Sequence, residues 1–272
     1  MKFKKLRKIY RILFPLQLTE RQIFKNKFLS NPLISNIEED NDTYIITFSK
    51  NYKVVVRNHN HSDYEVFEQI FNFGEYDIVA SILQTNSIFS TSENVLIDAG
   101  ANVGFTSVYF SNLNLFKQIF CVEPSQSNVD ILKRNINFLP NTDHIKVYKN
   151  ALSEKENKTF ELENSFRDGK DWSTATTENE KGTIAGITLN EIIKENNIKK
   201  IAVLKIDIEG AERFLFKKEN NLEFLKITQI IALEIHDEFD IRANIQELLV
   251  ENNFFLLESG ELTIGINKFF IK

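Results

Sequence analysis

The chain has 272 residues, 42% of them hydrophobic and 26% charged, with 24 phenylalanines. This composition can build a sizeable core and excludes a disordered chain, and the length fits one α/β domain with an extension or two small domains. The formal net charge of −5 argues against a general nucleic-acid binder, so we expect no nucleic-acid partner. The single cysteine, Cys121, excludes an internal disulfide and a cysteine metal cluster and favours a reducing, cytoplasmic setting.

The N-terminus, MKFKKLRKIYRILF, is basic, but its apolar part is too short for a secretory signal or a membrane span. Arg11 interrupts the apolar residues, and the stretch stops at Pro15. A helix over residues 1–14 would have one apolar side surrounded by lysines and arginines, a pattern typical of peripheral binding to an anionic membrane. Two alternatives stay open: packing of this helix against the domain, or peripheral contact with the inner face of a membrane.

Residues 1–90 predict an N-terminal α+β extension. Capping-box patterns at Thr19–Gln22 and Ser62–Glu65 indicate two helix starts, where a hydroxyl and an amide or carboxyl satisfy free backbone amides. Between them, TYIITF and KVVVR flank a turn at residues 49–52 and predict a β-hairpin. The stretches YEVFEQIFNF and EYDIVASIL are typical of amphipathic helices.

In residues 91–272 strands and helices alternate, which predicts parallel strands with right-handed crossovers and helices on both faces. We predict strands at Val95–Asp98, Ile119–Glu123, Ile145–Tyr148, Ile201–Asp207 and Ile230–His236, and helices near Phe105–Leu113, Gln126–Phe138, Leu189–Glu195, Ala211–Phe216 and Ile241–Glu251. The tail, FFLLES and then LTIGINKFFI, predicts an antiparallel edge pair. Ligands of such sheets bind beyond the carboxyl ends of the strands, so acids at strand ends are the candidate site residues.

The first of these strand ends carries a glycine turn, VLIDAGANVGF. Asp98 ends the strand, and Gly100 and Gly104 allow a tight turn and the close approach of a ligand. Asn102 is one of the few residues other than glycine that tolerate a left-handed backbone. The spacing D-x-G-x-N-x-G differs from the G-x-G-x-x-G of nicotinamide-binding proteins. A structural turn without a ligand is the alternative interpretation.

The second strand ends in Glu123, followed by Pro124. A carboxylate at this place can accept hydrogen bonds from both hydroxyls of a ribose. A surface acid that caps the next helix is the simpler alternative. Because the glycine turn and this acid occur together, we favour a nucleotide-like ligand.

The fourth and fifth predicted strands end in further charged residues. Asp207 ends VLKIDIEGAE, which also contains Lys205, Glu209 and Glu212; the two glutamates would also suit the dipole of a following helix. In the fifth strand, Glu234 and His236 are two residues apart and therefore share a face. We expect His236 and Asp207 to be candidate general bases.

The motifs DAGANVG, VEPS, NALSE, LKIDIEGAE and LEIH, in this order, resemble the FkbM family of S-adenosylmethionine-dependent methyltransferases. The resemblance covers about residues 57–236 and implies a Rossmann-like class I fold, a mostly parallel seven-stranded sheet whose last strand is antiparallel. It implies S-adenosylmethionine as cofactor. The implied cofactor contacts are Asp98, Gly100, Ala101, Asn102, Gly104 and Phe105 for the methionine end, Glu123 and Pro124 for the ribose, and Ala151 and Leu152 for the adenine.

We therefore expect an O-methyltransferase that acts on a hydroxyl, most plausibly of a sugar in a glycan or glycolipid. A non-catalytic binding module, a nicotinamide-dependent oxidoreductase and a methyltransferase of polyketide-type small molecules are the alternatives. The loop at residues 165–175, with Trp172, is either a sugar-binding wall or a surface loop. We expect no metal, although Asp207, Glu234 and His236 together would be an oxygen-rich site for a divalent ion.

Overall fold

The computed structural model describes residues 18–50, 52–86, 88–89, 93–163 and 175–271. Three features predicted from the sequence fall wholly or partly outside these residues: the basic helix over 1–14, residue 51 of the hairpin turn, and residues 165–174 of the loop with Trp172. Within the described ranges, no helix has the length and apolar character needed to cross a membrane.

In its described residues, the N-terminal extension has a three-stranded sheet and three helices. In chain order its elements are α1 (Glu20–Phe28), β1 (Ile34–Asp40), β2 (Thr43–Phe48), β3 (Lys53–Arg57), α2 (Asp63–Phe67), which continues as a π-helical turn over Glu68–Asn72, and α3 (Asp77–Thr85). The predicted β2–β3 hairpin is confirmed, and β1 pairs antiparallel with β2 as a strand that the pattern did not predict. The boundary at residue 90 stays a prediction.

One of the two predicted helix caps is confirmed and the other is wrong. The side chain of Thr19 accepts a hydrogen bond from the backbone of Gln22, whose own side chain accepts from the backbone of Thr19. Ser62 makes no such side-chain bond, because its backbone has ψ 4° instead of the extended value that aims a hydroxyl at the first turn. The next residue, Asp63, accepts from the backbone and side chain of Arg57 instead, so an ion pair orders this helix start.

The C-terminal part is built on a seven-stranded sheet in the order β6-β5-β4-β11-β12-β14-β13. Its strands are β4 (Val95–Ala99), β5 (Gln118–Val122), β6 (Ile145–Tyr148), β11 (Ile201–Ile206), β12 (Thr228–Glu234), β13 (Phe254–Ser259) and β14 (Leu262–Asn267). All neighbours are parallel except those of β14, which runs antiparallel to both β12 and β13. The antiparallel last strand is thus confirmed, although it lies inside the sheet and β13 forms the edge.

Helices cover both faces of this sheet. They are α4 (Phe105–Asn112), α5 (Gln126–Ile136), α6 (Leu189–Glu195), α7 (Glu212–Leu215), α8 (Glu223–Ile227) and α9 (Arg242–Glu251). Strands β4 and β11 are buried at every residue, as expected for apolar strands packed on both sides. Successive residues of β4 face opposite sides of the sheet and belong to separate hydrophobic cores. Leu96 belongs to the core with α4, α5 and the extension, whereas Ile97 belongs to the core with α6, α8 and α9.

The extension is tied to the seven-stranded sheet through buried polar contacts on α5. The side-chain oxygen of Asn135 accepts from the backbone of Val55 at 2.5 Å, and its amide donates to the carbonyl of Val103 at 2.7 Å. Arg57 donates to the side-chain oxygen of Asn128 at 2.9 Å. These bonds order the extension beside the carboxyl ends of β4 and β5.

A second, four-stranded sheet was not predicted. Its strands, in the order β7-β10-β8-β9, are β7 (Ala151–Leu152), β8 (Thr159–Glu163), β9 (Ala175–Glu178) and β10 (Ile184–Ile187). Only β7 and β10 are parallel. Two-residue β7 and four-residue β9 and β10 are too short for a periodic signal. This sheet lies beside the carboxyl ends of the main strands and contributes to the cavity described next.

Candidate functional site

A cavity with about 940 Å³ of empty space, partly open to solvent, lies beyond the carboxyl ends of β4, β5, β11 and β12. Strands β4 and β11 are neighbours in the sheet. The strands that follow β4 in sequence lie on one side of this pair, and those that follow β11 lie on the other. Open α/β sheets bind ligands at such a point, where the strand order reverses. Eight of the ten predicted cofactor residues line it: Gly100, Ala101, Asn102, Phe105, Glu123, Pro124, Ala151 and Leu152.

The turn after β4 has the unusual backbone that its sequence predicts. Gly100 has φ 77° and Asn102 has φ 49°, both in the left-handed region. A Cβ on Gly100 would collide with the carbonyl oxygen of Asp207, so glycine is required for β4 and β11 to approach here. The left-handed backbone predicted for Asn102 from the sequence is thus confirmed.

Glu123 is held at the end of β5 by three hydrogen bonds. Its carboxylate accepts from the backbone amides of Asn102 and Ser125, both at 2.9 Å, and from the side chain of Asn128 at 3.2 Å. Burial raises the pKa of Glu123, and these donors lower it in part. Because the carboxylate is fixed and lines the cavity, the remaining acceptor site on Oε2 can take a hydrogen bond from a ligand hydroxyl.

The two other predicted cofactor residues lie behind the cavity wall. Gly104 has φ 82° and begins α4. Asp98 is fully buried, accepts from Ser107 at 2.7 Å and pairs with Lys205 at 3.4 Å. The ammonium of Lys205 also lies 3.5 Å from Asp207 and donates to the carbonyl of Gly100 at 2.5 Å. Lys205 therefore orders the glycine turn and Asp207 at once.

The predicted bases Asp207 and His236 occupy different positions. Asp207 lines the cavity together with Glu209 and Glu234, whereas His236 is only 2% exposed and lies behind these acids. Burial alone would lower the pKa of His236, but Glu209 and Glu212 raise it to about 11. Its imidazole is therefore charged at neutral pH in the absence of another cation. The surrounding carboxylates thus outweigh the effect of burial on this pKa.

Several lining residues come from parts of the chain that the sequence did not associate with the site. Val66, Gln69, Ile70, Glu75 and Tyr76 belong to the extension, and Thr176 belongs to β9. Burial is the main cause that raises the pKa of Glu75 to about 7, with Asp207 adding to it. Glu234 has its pKa raised to about 9, again mainly by burial and then by Asp207. A local pattern contains no signal for these contacts, because they depend on how the extension packs.

The cavity fits a nucleotide-like methyl donor at its glycine-turn end. The side-chain oxygen of Asn102 is buried and accepts no hydrogen bond from the residues that the structure describes. A buried polar atom of this kind calls for a partner, which a bound ligand can supply. Glu123 provides acceptors for ribose hydroxyls, and Ala151 and Leu152 provide a buried apolar surface beside them.

Comparison with known proteins agrees with this geometry. The methyltransferase FkbM domain family matches residues 98–256, more than half of the chain. The methyltransferase sdnD of Sordaria araneosa is 24% identical over 224 residues, covering 70% of this chain and 81% of that protein. The hexuronic acid methyltransferase AglP of Haloferax volcanii is 26% identical over 178 residues, covering 65% of this chain and 69% of that protein.

Among solved structures, the methyltransferase FkbM from Methylobacillus flagellatus KT aligns with a TM-score of 0.41 and 13% identity, covering 64% of this chain. The chain spans 44% of that structure. The family match extends from Asp98, through the glycine turn and Glu123, to Asp207, Glu234 and His236. The chain therefore belongs to the FkbM methyltransferase family, and it is a methyltransferase.

Proposed function

We propose that this methyltransferase uses S-adenosylmethionine and transfers its methyl group to a hydroxyl oxygen of a sugar in a glycan or glycolipid. The observation that carries the proposal is the polarity of the cavity. One part of its lining is the glycine turn with Asn102 and Glu123, and the adjoining part is a wall of carboxyl groups at Asp207, Glu209 and Glu234. We call this second group the acid wall.

The cofactor end would be held by residues that are already ordered. S-adenosylmethionine, when bound, supplies a methyl group on a positively charged sulfur. Glu123 would accept hydrogen bonds from the ribose, and the buried side-chain oxygen of Asn102 would accept one from a polar group of the cofactor. Fixing the reactants in this way supplies much of the barrier reduction for a displacement reaction.

The acid wall would bind the acceptor and take up its proton. A hydroxyl is a poor nucleophile, so a base must accept its proton as the new bond forms. Asp207 lines the cavity, and the ammonium of Lys205, 3.5 Å away, holds it in place. We propose Asp207 as the proton acceptor. His236, the other predicted base, is charged and buried behind the wall, which favours a positioning role for it.

A sugar acceptor is supported by two observations. The acid wall offers several hydrogen-bond acceptors to an acceptor rich in hydroxyls, and the relative AglP is a hexuronic acid methyltransferase. The wall also repels an acceptor carboxylate, so neutral hydroxyl groups should lie against it. A polyketide-type acceptor with few hydroxyls would offer these carboxyl groups fewer hydrogen-bond donors.

The test is methyl transfer by the full chain from isotope-labelled S-adenosylmethionine to a panel of methyl glycosides, hexuronic acids and apolar alcohols. We expect labelled product from one or more sugars and none from the apolar alcohols. Asp207→Asn should cut turnover by about a hundredfold or more, the usual scale for general-base catalysis. Binding of NAD instead of S-adenosylmethionine in calorimetry would refute the proposal, as would cofactor binding with no transfer to any sugar of the panel.

Contact of residues 1–14 with an anionic membrane stays a prediction, and it would suit a lipid-linked acceptor. Sedimentation with anionic vesicles compares the full chain with a version that begins at residue 15. Sedimentation of the full chain alone would support contact with the membrane. Equal sedimentation of both versions would remove the membrane interpretation and leave packing against the domain.

A further inference from the structure

We propose that Asp207, Glu209 and His236 form a binding site for a divalent cation at the carboxyl ends of β11 and β12. Its catalytic role rests on the function proposed above, since the site forms part of the acid wall. The binding itself does not depend on that function. The site differs from the oxygen-rich set considered from the sequence, because Glu209 takes the place of Glu234.

The ligand atoms are close enough to share one ion. One oxygen of each carboxylate and one nitrogen of His236 all lie within 4.8 Å of one another. The imidazole Nε2 is 3.3 Å from Oε2 of Glu209. Ligands about 2.1 Å from an octahedral ion are separated by about 3 Å when adjacent and about 4.2 Å when opposite. The three groups therefore need only small side-chain adjustments to bind an ion.

The other face of the imidazole has the partner that a metal-binding histidine needs. Nδ1 of His236 lies 3.2 Å from Oε1 of Glu212, which is fully buried. The same oxygen accepts from the backbone amide of Ile208 at 3.0 Å, so Glu212 cannot swing away freely. A carboxylate behind a histidine is the usual arrangement that orients the ring and strengthens it as a ligand.

The imidazole also lacks a satisfactory hydrogen bond. His236 is only 2% exposed. Neither of its ring nitrogens makes a hydrogen bond of acceptable geometry with the described residues. A buried polar side chain in this state calls for a ligand. Nε2 faces the acid wall, with Glu234 at 3.7 Å in addition to Glu209. A cation in front of Nε2 would satisfy the ring and these carboxylates together.

The charge around the site favours a cation. Five buried or half-buried carboxyl groups converge on Lys205 and His236; they are Asp98, Asp207, Glu209, Glu212 and Glu234. Excess negative charge in a buried place is unfavourable unless a counter-charge is bound. Two carboxylates and an imidazole suit a first-row ion such as Mn²⁺ better than Mg²⁺, which prefers oxygen ligands alone.

A cation here would change how the acceptor is activated. Coordinated to the acceptor hydroxyl, it would make the hydroxyl more acidic, and the proton would pass more readily to the second carboxylate oxygen of Asp207. The cation would also compensate the repulsion between the acid wall and a carboxylate-bearing sugar.

The experiment measures Mn²⁺ binding by electron paramagnetic resonance on the full chain after treatment with a chelator. We expect one Mn²⁺ per chain for the wild type and for Glu161→Gln, a control at an exposed acid of β8. Glu209→Gln should weaken binding at least tenfold. Glu212→Gln, which removes only the partner of Nδ1, should weaken it by about 10–100-fold. Circular dichroism checks that each variant is folded.

Absence of Mn²⁺ binding at millimolar concentration would overturn the inference, as would equal binding by the wild type and the Glu209→Gln and Asp207→Asn variants. The proposed function is tested separately. S-adenosylmethionine should bind the chelator-treated wild type, because Asn102 and Glu123 are not part of the cation site. Methyl transfer at an unchanged rate with chelator present would contradict the catalytic role of the cation while leaving the methyltransferase function intact.

Discussion

The backbone amide of Asn102 donates a hydrogen bond of 2.9 Å to Oε2 of Glu123. This bond joins the turn after β4 to the end of the neighbouring strand β5. The left-handed backbone of Asn102 aims its amide at the acid, so the turn and the predicted ribose site are ordered by one contact. The contributions of Asn102 and Glu123 to cofactor binding can therefore be measured separately only with variants that keep the backbone of the turn intact.

Glu123→Ala should weaken S-adenosylmethionine binding by about 1.5–3 kcal/mol, the scale for hydrogen bonds to a charged group. The variant should also unfold more easily, because it loses three hydrogen bonds to Asn102, Ser125 and Asn128. Calorimetry measures the affinity, with Glu161→Ala on the exposed side of β8 as the matched control. If both variants bind the cofactor equally well, Glu123 has a structural role only.

Asn102→Gly and Asn102→Ala should separate the backbone role of Asn102 from its side-chain role. Glycine adopts φ 49° freely, whereas alanine pays about 1–2 kcal/mol for a left-handed backbone. We expect urea unfolding to find the glycine variant close to the wild type and the alanine variant less stable. Both should bind S-adenosylmethionine about 2–10-fold more weakly, since both lose the buried side-chain oxygen. Wild-type affinity in the glycine variant would exclude that oxygen from the cofactor site.

Lys205→Met should destabilise the protein by about 3–5 kcal/mol, because removal of one partner leaves buried charges without compensation. Lys205 is 3% exposed and pairs with Asp98, which is fully buried, and with Asp207. The double variant Lys205→Met with Asp98→Asn should recover part of the loss. Free energies of unfolding in urea give both values. A single variant as stable as the wild type would contradict the role assigned to Lys205.

Glu75→Gln should stabilise the protein more at pH 8 than at pH 5. Burial, reinforced by Asp207, raises the pKa of Glu75 from 4.5 to about 7 in the folded protein. A carboxyl with a raised folded pKa costs stability as the pH rises from about 4.5 through 7, since the folded state holds the proton that the unfolded state releases. The glutamine variant avoids this cost, so its advantage should grow to at most about 3 kcal/mol above pH 7.

The measurement for Glu75 is urea unfolding at both pH values with a chelator present, so that no bound cation alters the charge of the acid wall. Glu161→Gln, at an exposed position, should show no pH-dependent advantage. An equal advantage of Glu75→Gln at pH 5 and pH 8 would mean that Glu75 is ionised normally. Because the test measures unfolding, it needs no methyl acceptor.

Much of this protein follows from local sequence. Hydrophobic periodicity predicts the five parallel strands β4, β5, β6, β11 and β12 to within two residues at each end. The signal is strongest for β4 and β11, which are apolar and buried at every residue. The turn at Gly100, Asn102 and Gly104 is predicted for a similar reason, since its backbone angles restrict the residues that fit. The acids Glu123 and Asp207 are identified by their position at strand ends.

The tertiary structure decides what surrounds these residues. Glu75 and Tyr76 reach the cavity because the extension packs against α5, and the two-residue strand β7 pairs with β10, more than thirty positions later in the chain. His236 is two residues from Glu234 in sequence, yet its two nitrogens face Glu209 and Glu212, which come from the loop and helix after β11. Its pKa depends on the number of carboxylates within a few ångströms and on the absence of water between them. Those quantities arise only when distant segments are packed together, so no local pattern of residues contains them.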